Sequence, residues 1–138
     1  MSETTGTTTR ARTAPGAAAA GRLMQDHFDA MGSGGDFTRF LTEDVVWVDT
    51  ESGERFEGRR AVRRHVDALH GELFEARSVG RSLAVTDAQA FLEGEYVDDE
   101  AGTRTPFFLV HDLDGAAISQ VRLYLNSTVL RRRARPGA

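Results

Sequence analysis

The sequence predicts an α+β domain in which helices pack on one face of a curved, mostly antiparallel sheet. Three observations carry that expectation. Apolar residues recur at helical spacing through the first half of the chain. The second half alternates apolar and polar residues. Acidic and Asp-Gly turns punctuate the alternating half, as hairpins require. Helices first and a strand meander last is the order of an α+β domain rather than of a parallel α/β one.

Each element follows in turn. From Ala17 to Met31 the residues Ala20, Leu23, Met24, Phe28 and Met31 fall on one helical face. Gly32 and Gly34-Gly35 stop that helix. Asp36 can cap a short second helix with Phe37, Phe40 and Leu41 facing inward. Val45-Val46-Trp47-Val48-Asp49 reads as a buried strand, because Val and Trp suit a pleated surface and the flanks are polar. Ser52-Gly53 makes a turn, and a third helix covers about Arg60 to Leu73 with Val62, Val66, Leu69 and Leu73 as its stripe. Four strands are expected at about Phe74 to Thr86, Ala88 to Asp98, Thr105 to Leu113 and Ile118 to Asn126. Asp87, Asp99-Glu100-Ala101-Gly102 and Asp114-Gly115 separate them. Residues 1–15 hold too little apolar surface to order themselves and are expected to form a tail. The domain is then expected over 16–128, with a basic flexible tail over 129–138.

Composition narrows the function classes. A chain of 138 residues is most simply one domain with a real core. Its formal net charge of -4 offers no basic footprint for nucleic acid. No apolar stretch approaches the ~20 residues needed to span a bilayer, so no membrane partner is expected. Ala17-Ala18-Ala19-Ala20 lacks the charged lead and Leu-rich core of a signal peptide. With zero cysteines, disulfides and thiolate metal sites are excluded, and a cytoplasmic location is expected. Every basic side chain is Arg, a pattern of GC-rich coding as in an actinobacterium, and the absence of Lys excludes Schiff-base catalysis by a lysine amine.

Asp49 is the leading candidate for chemistry. A carboxylate ending a buried strand lies either in water, which is the commoner case, or at the mouth of a pocket. In a pocket, loss of water raises its pKa and makes it a usable proton acceptor. Trp47 shares its face by alternation and would wall that pocket. His27 stands between Met24 and Met31 on the buried stripe; such a histidine is more often a satisfied core group than a catalyst. Alternation puts His111 on one face with Phe107, Leu109 and Leu113, either cavity-lining or core. Arg122 and Tyr124 share a face of the last strand, but a bulge can flip the register, so the sequence leaves open which face is concave. Glu93, Glu95 and Tyr96 pose the same question. His65 and His70 sit beside the third helix's stripe without an acidic residue at metal-ligand spacing, so no metal site is expected. Gly-rich phosphate loops, a Gly-x-Ser-x-Gly elbow and a His-Glu-x-x-His string are absent.

Four strings, in order, carry a family resemblance: Phe28-Asp29-Ala30-Met31 before the Gly-rich break, Asp44 to Asp49, Gly58 leading into Ala61-Val62, and Asp114-Gly115 through Arg122-Leu123-Tyr124. Over about Ala17 to Asn126 the chain resembles the nuclear-transport-factor-2-like superfamily, and within it the SnoaL-like polyketide cyclases and ketosteroid isomerases. The resemblance implies a cone, a strongly bent sheet wrapped around about three helices with an apolar pocket open at one end. It places Asp49 where the ketosteroid isomerases keep their proton-shuttling carboxylate, and His27 near their enolate-stabilising phenol. Phe108 and Leu109 stand where the second acid donor of that branch would be. His111 matches the strand histidine of the SnoaL-like cyclases, and Asn126 takes the place of their aspartate. The epoxide-hydrolase branch needs an Arg-x-Asp strand spacing that is missing.

These readings converge on a cofactor-free enzyme doing acid/base chemistry, a cyclisation or isomerisation, on an apolar carbonyl-bearing metabolite such as a polyketide. Asp49 would be the base, paired with His111 as donor and assisted by His27. Trp47, Phe28, Phe107, Leu109, Tyr124 and Asn126 would line the substrate site. The competing expectation is a non-catalytic binding module or a homodimeric assembly unit of the same fold.

Overall fold

The computed structural model describes residues 10–69 and 77–125. Strand β1 spans Arg10–Thr13 and precedes helix α1, Ala18–Gly32. A four-residue 3₁₀ helix, Phe37–Phe40, leads into β2, Leu41–Asp49, and then β3, Glu54–Glu57. Helix α2, Arg59–Ala68, is followed by β4 Arg77–Val85, β5 Gln89–Asp98, β6 Thr103–Asp114 and β7 Ala117–Tyr124. The seven strands form one mixed sheet in the order β1-β4-β5-β6-β7-β2-β3. β1 runs parallel to β4 and β2 parallel to β7, while the other neighbours are antiparallel. Register shifts between Gly80 and Ser82, between Asp112 and Leu113, and between Leu41 and Val46 mark irregularities of the kind that bend a sheet.

The local chemistry explains the element ends. Gly34, at φ +76°, takes the left-handed conformation that closes α1, and Gly35 N–H returns to Ala30 O at 2.8 Å. Asp36 Oδ1 accepts from Thr38 N–H at 3.1 Å, capping the 3₁₀ helix as the sequence predicts. Arg59 anchors α2 by donating Nε–H and Nη2–H to Leu41 O, at 2.9 and 2.8 Å. Helix α1 turns Ala20, Met24 and His27 inward, and α2 turns Val62 and Val66 inward over β2 and β3. Val45, Trp47, Leu83, Val85, Leu92, Phe107, Val121 and Leu123 meet them from the sheet's inner face to form one apolar core.

The boundaries depart from expectation in three places. Residues 10–13, assigned to a tail by composition, form the edge strand β1. The short hairpin strand β3 was not foreseen. The second of the three expected helices is a 3₁₀ turn rather than an α-helix. Expectations for His70, Leu73, Phe74, Asn126 and the tail over 129–138 lie outside the described residues.

Candidate functional site

Alternation along β2 sends Val45, Trp47 and Asp49 to the inner face, and Asp49 is buried there at 7% exposure. Trp47 Nε1–H donates to Asp49 Oδ1 at 2.7 Å. From α2, His65 Nε2 lies 2.9 Å from Asp49 Oδ2, with both side chains only 10% exposed. That contact has the length of an ion pair without the alignment of a hydrogen bond, for Nε2 has no hydrogen-bond partner. Phe56 of β3 stacks on the His65 ring, centroids 3.8 Å apart at 13°, and Trp47 meets it edge-on at 5.8 Å. Three elements thus hold the pair: β2 supplies the acid, α2 the imidazole, β3 the ring beneath it.

Tyr96 on β5 belongs to the same neighbourhood. It is 5% exposed, and its phenol packs 4.7 Å from the Phe107 ring. Burial first, and the negative charge of Asp49 second, push its hydroxyl well above the ordinary range, so it stays a protonated donor.

A second cluster forms where α1 crosses β6. The rings of His27 and His111 lie 6.3 Å apart in an edge-to-face arrangement, and Phe28 contacts both, at 5.5 and 5.8 Å. Phe37 and Phe40 approach His27 at 5.9 and 6.0 Å. Desolvation lowers His27 to about 4 and His111 to about 3, the latter helped by its neighbour His27, so both imidazoles are neutral near pH 7. His27 Nδ1 lies 3.3 Å from Phe37 O, and His111 Nδ1 lies 3.3 Å from Ala90 O. A carbonyl can only accept, so each ring carries its proton on Nδ1 and leaves Nε2 bare.

This geometry corrects the expected pairing. His111 registers with Val121, which registers with Trp47, so it stands two strands from β2, about 10 Å across the sheet. The partner of Asp49 is His65, not His111. Nor can neutral His111 polarise a substrate oxygen, since its N–H is already committed to Ala90. Tyr124 is also misplaced by the sequence reading: at 45% exposure it lies on the outer face beside Phe108. Arg122 shares that face and pairs with Asp112. Trp47 lies against Asp49, Phe107 lies against Tyr96, Leu109 packs against the inner core, and Phe28 belongs to the histidine cluster. Asn126 lies outside the described residues. Among those residues, no group of three or more His, Asp or Glu side chains converges as a metal site.

The sequence reading named His65 and Tyr96 without assigning them to the site, and Phe56 not at all. The signal for His65 was present: Val62, His65, Val66 and Leu69 follow the i, i+3, i+4, i+7 spacing of one helical face. Tyr96 likewise keeps phase with Ala90, Leu92 and Gly94.

The inward-facing sheet, crossing helix and bent strands recur in solved structures. An NTF2-like protein of unknown function from Mesorhizobium loti superimposes with a TM-score of 0.71 at 15% identity, covering 83% of this chain and 98% of that one. The chain adopts the nuclear-transport-factor-2-like fold. A Kribbella flavida protein assigned as a ketosteroid isomerase matches with a TM-score of 0.67 at 16% identity, over 78% of each chain. A Shewanella putrefaciens protein assigned as a SnoaL-like polyketide cyclase matches at 0.62 and 11% identity, covering 83% of this chain and 86% of its own. No protein-family model matches the sequence, and no curated protein matches it. No helix among the described residues is long and apolar enough to cross a membrane.

Proposed function

We propose that the chain catalyses proton transfer at carbon alpha to the carbonyl of an apolar small molecule, with Asp49 as the base. One observation carries this reading: a carboxylate at 7% exposure, fixed by the Trp47 indole and set 2.9 Å from the His65 imidazole. A carboxylate fixed in one orientation on the inner face is placed to take a proton from a substrate held against it. In the proposed step Asp49 takes the proton and the electron pair moves onto the carbonyl oxygen. Tyr96 supplies the protonated phenol of that neighbourhood, and His65 acts as a positioning residue that keeps the carboxylate oriented. The isomerase-like and cyclase-like assignments of two structural neighbours agree with such chemistry and leave the substrate open.

The test uses 2-tetralone in D₂O, following loss of its alpha protons by NMR. The protein is expected to accelerate exchange over buffer, and Asp49→Asn to slow it by roughly 10²–10⁴-fold. The Asn amide oxygen still accepts from Trp47, so the fold is retained. Exchange at the wild-type rate in Asp49→Asn, or no acceleration by the wild type, overturns the assignment.

A second reading, that the unit acts as a homodimer, is favoured by the outer face. Phe108 and Tyr124 are 39% and 45% exposed and contact one another there, with Phe91 alongside. The same face carries both signs of charge, in Glu95 with Arg81 and in Asp112 with Arg122, as a self-complementary contact needs. Light scattering is expected to give twice the monomer mass, and Phe108→Glu to return it to one; a wild-type monomer refutes the dimer.

A further inference from the structure

Asp49 is the last residue of β2, and the ends of strands are where a sheet opens first. A base set there would swing with the fraying backbone. The next residue counters this. Thr50 donates twice to one acceptor on β7: its N–H reaches Leu123 O at 3.0 Å, and its hydroxyl reaches the same oxygen at 2.7 Å. Leu123 is the residue in register with Asp49, so both bonds land beside the position that carries the carboxylate. On the far side the turn closes on Asp49 itself, with Gly53 N–H on Asp49 O at 2.7 Å. Any residue except proline could supply the amide bond to Leu123. The hydroxyl bond needs a side chain of this kind, and a β-branched one is stiff enough at χ1 to keep it closed.

We infer that Thr50 is a positioning residue for Asp49: its hydroxyl fastens the end of β2 to β7 and so holds the carboxylate where Trp47 and His65 meet it. The consequence for rate rests on the proton-transfer reading; the consequence for geometry does not. The two contacts of the carboxylate differ in origin. Trp47 belongs to β2 and travels with it, whereas His65 stands on α2, 2.9 Å from Asp49 Oδ2. A strand end that shifts would therefore loosen the His65 contact first. A misplacement of about 1 Å can cost on the order of 10²-fold in rate even when its cause lies outside the chemistry. Valine at position 50 would keep the volume and the amide bond and lose only the second donor to Leu123 O.

Thr50→Val and Thr50→Ser form the test, with two readouts. The chain has one tryptophan, so its single indole N–H resonance reports the contact with Asp49, and the His65 imidazole ¹⁵N signals report the other. Both sets are expected to move in Thr50→Val and to return in Thr50→Ser. In the 2-tetralone exchange assay, Thr50→Val is expected to lower the rate at saturating ketone by roughly 10–10²-fold with little change in half-saturation, and Thr50→Ser to restore most of it. Thr50→Ala replaces the valine variant where that one fails to fold. Unmoved indole and imidazole signals, an unchanged rate, or a loss that serine does not restore overturns the inference. A wild type without exchange activity removes the base assignment instead, and the resonances still decide whether the hydroxyl sets the geometry.

Discussion

Individual side chains decide how this molecule responds to acid. His27 and His111 are neutral in the fold, lowered from 6.5 to about 4 and about 3 chiefly by burial. The unfolded chain binds protons on both from about pH 6.5 downward, whereas the folded chain does not until much lower pH. Stability contributed by keeping them neutral is therefore full above pH 6.5 and is lost as pH falls toward 4. Urea denaturation at pH 7 and pH 5, a window above ordinary carboxylate titration, is expected to show a loss on the order of 1–2 kcal/mol for each imidazole. In His111→Phe the pH dependence should weaken by one imidazole's share. The same scale shows what sequence could and could not reveal. Asp49 and Trp47 were legible because strict alternation placed them together. Their partner was not, because His65 was read as a residue beside a helical stripe when its spacing puts it inside one. The protons on His27 and His111 were beyond reach, since Phe37 O and Ala90 O are backbone groups that no side-chain pattern announces.

At the scale of elements, β5 shows how tightly strand and site are joined. Gly94 sits between Leu92 and Tyr96 on the inner face, and the Phe107 ring from β6 lies over it. A Cβ there would fall 2.5 Å from Phe107 Cζ and 2.6 Å from the Val79 carbonyl oxygen. A ring can turn away; a carbonyl in the next strand cannot without moving the ladder. Gly94→Ala is expected to cost about 3 kcal/mol in chemical denaturation, and shortening Phe107 in the same chain should recover only part of it. The long strands β4 to β7 and both helices were legible from their periods. The two edge strands were not. In β1, Ala11, Arg12 and Thr13 are exposed, and in β3 only Phe56 is even half-buried. An edge strand held by backbone bonds needs no apolar face, so hydrophobic patterning carries no trace of it.

Taken whole, the molecule is a bent sheet whose inner face is divided between two polar clusters and whose outer face carries an aromatic row. The division explains why the expected pairing of Asp49 with His111 failed although both residues face inward. Face can be read from alternation along one strand. Lateral position depends on strand order, and the order β6-β7-β2 inserts a strand between them. Nothing local in the sequence specifies that insertion.

The same insertion dictates when the surroundings of Asp49 can assemble. Among the described residues, β2 and its hairpin partner β3 join the rest of the sheet through β7, and Thr50 Oγ1–H reaches Leu123 O across 73 residues of chain. Such distant closures are slow because the intervening loop must lose its freedom before any contact rewards it. On the ribosome, β2 and the residues that position the base emerge long before their neighbouring strand exists. The hairpin of β2 and β3 with α2 must wait, half-covered, until the final strand is made, so the Asp49–His65 pair gains its enclosure late in folding rather than early.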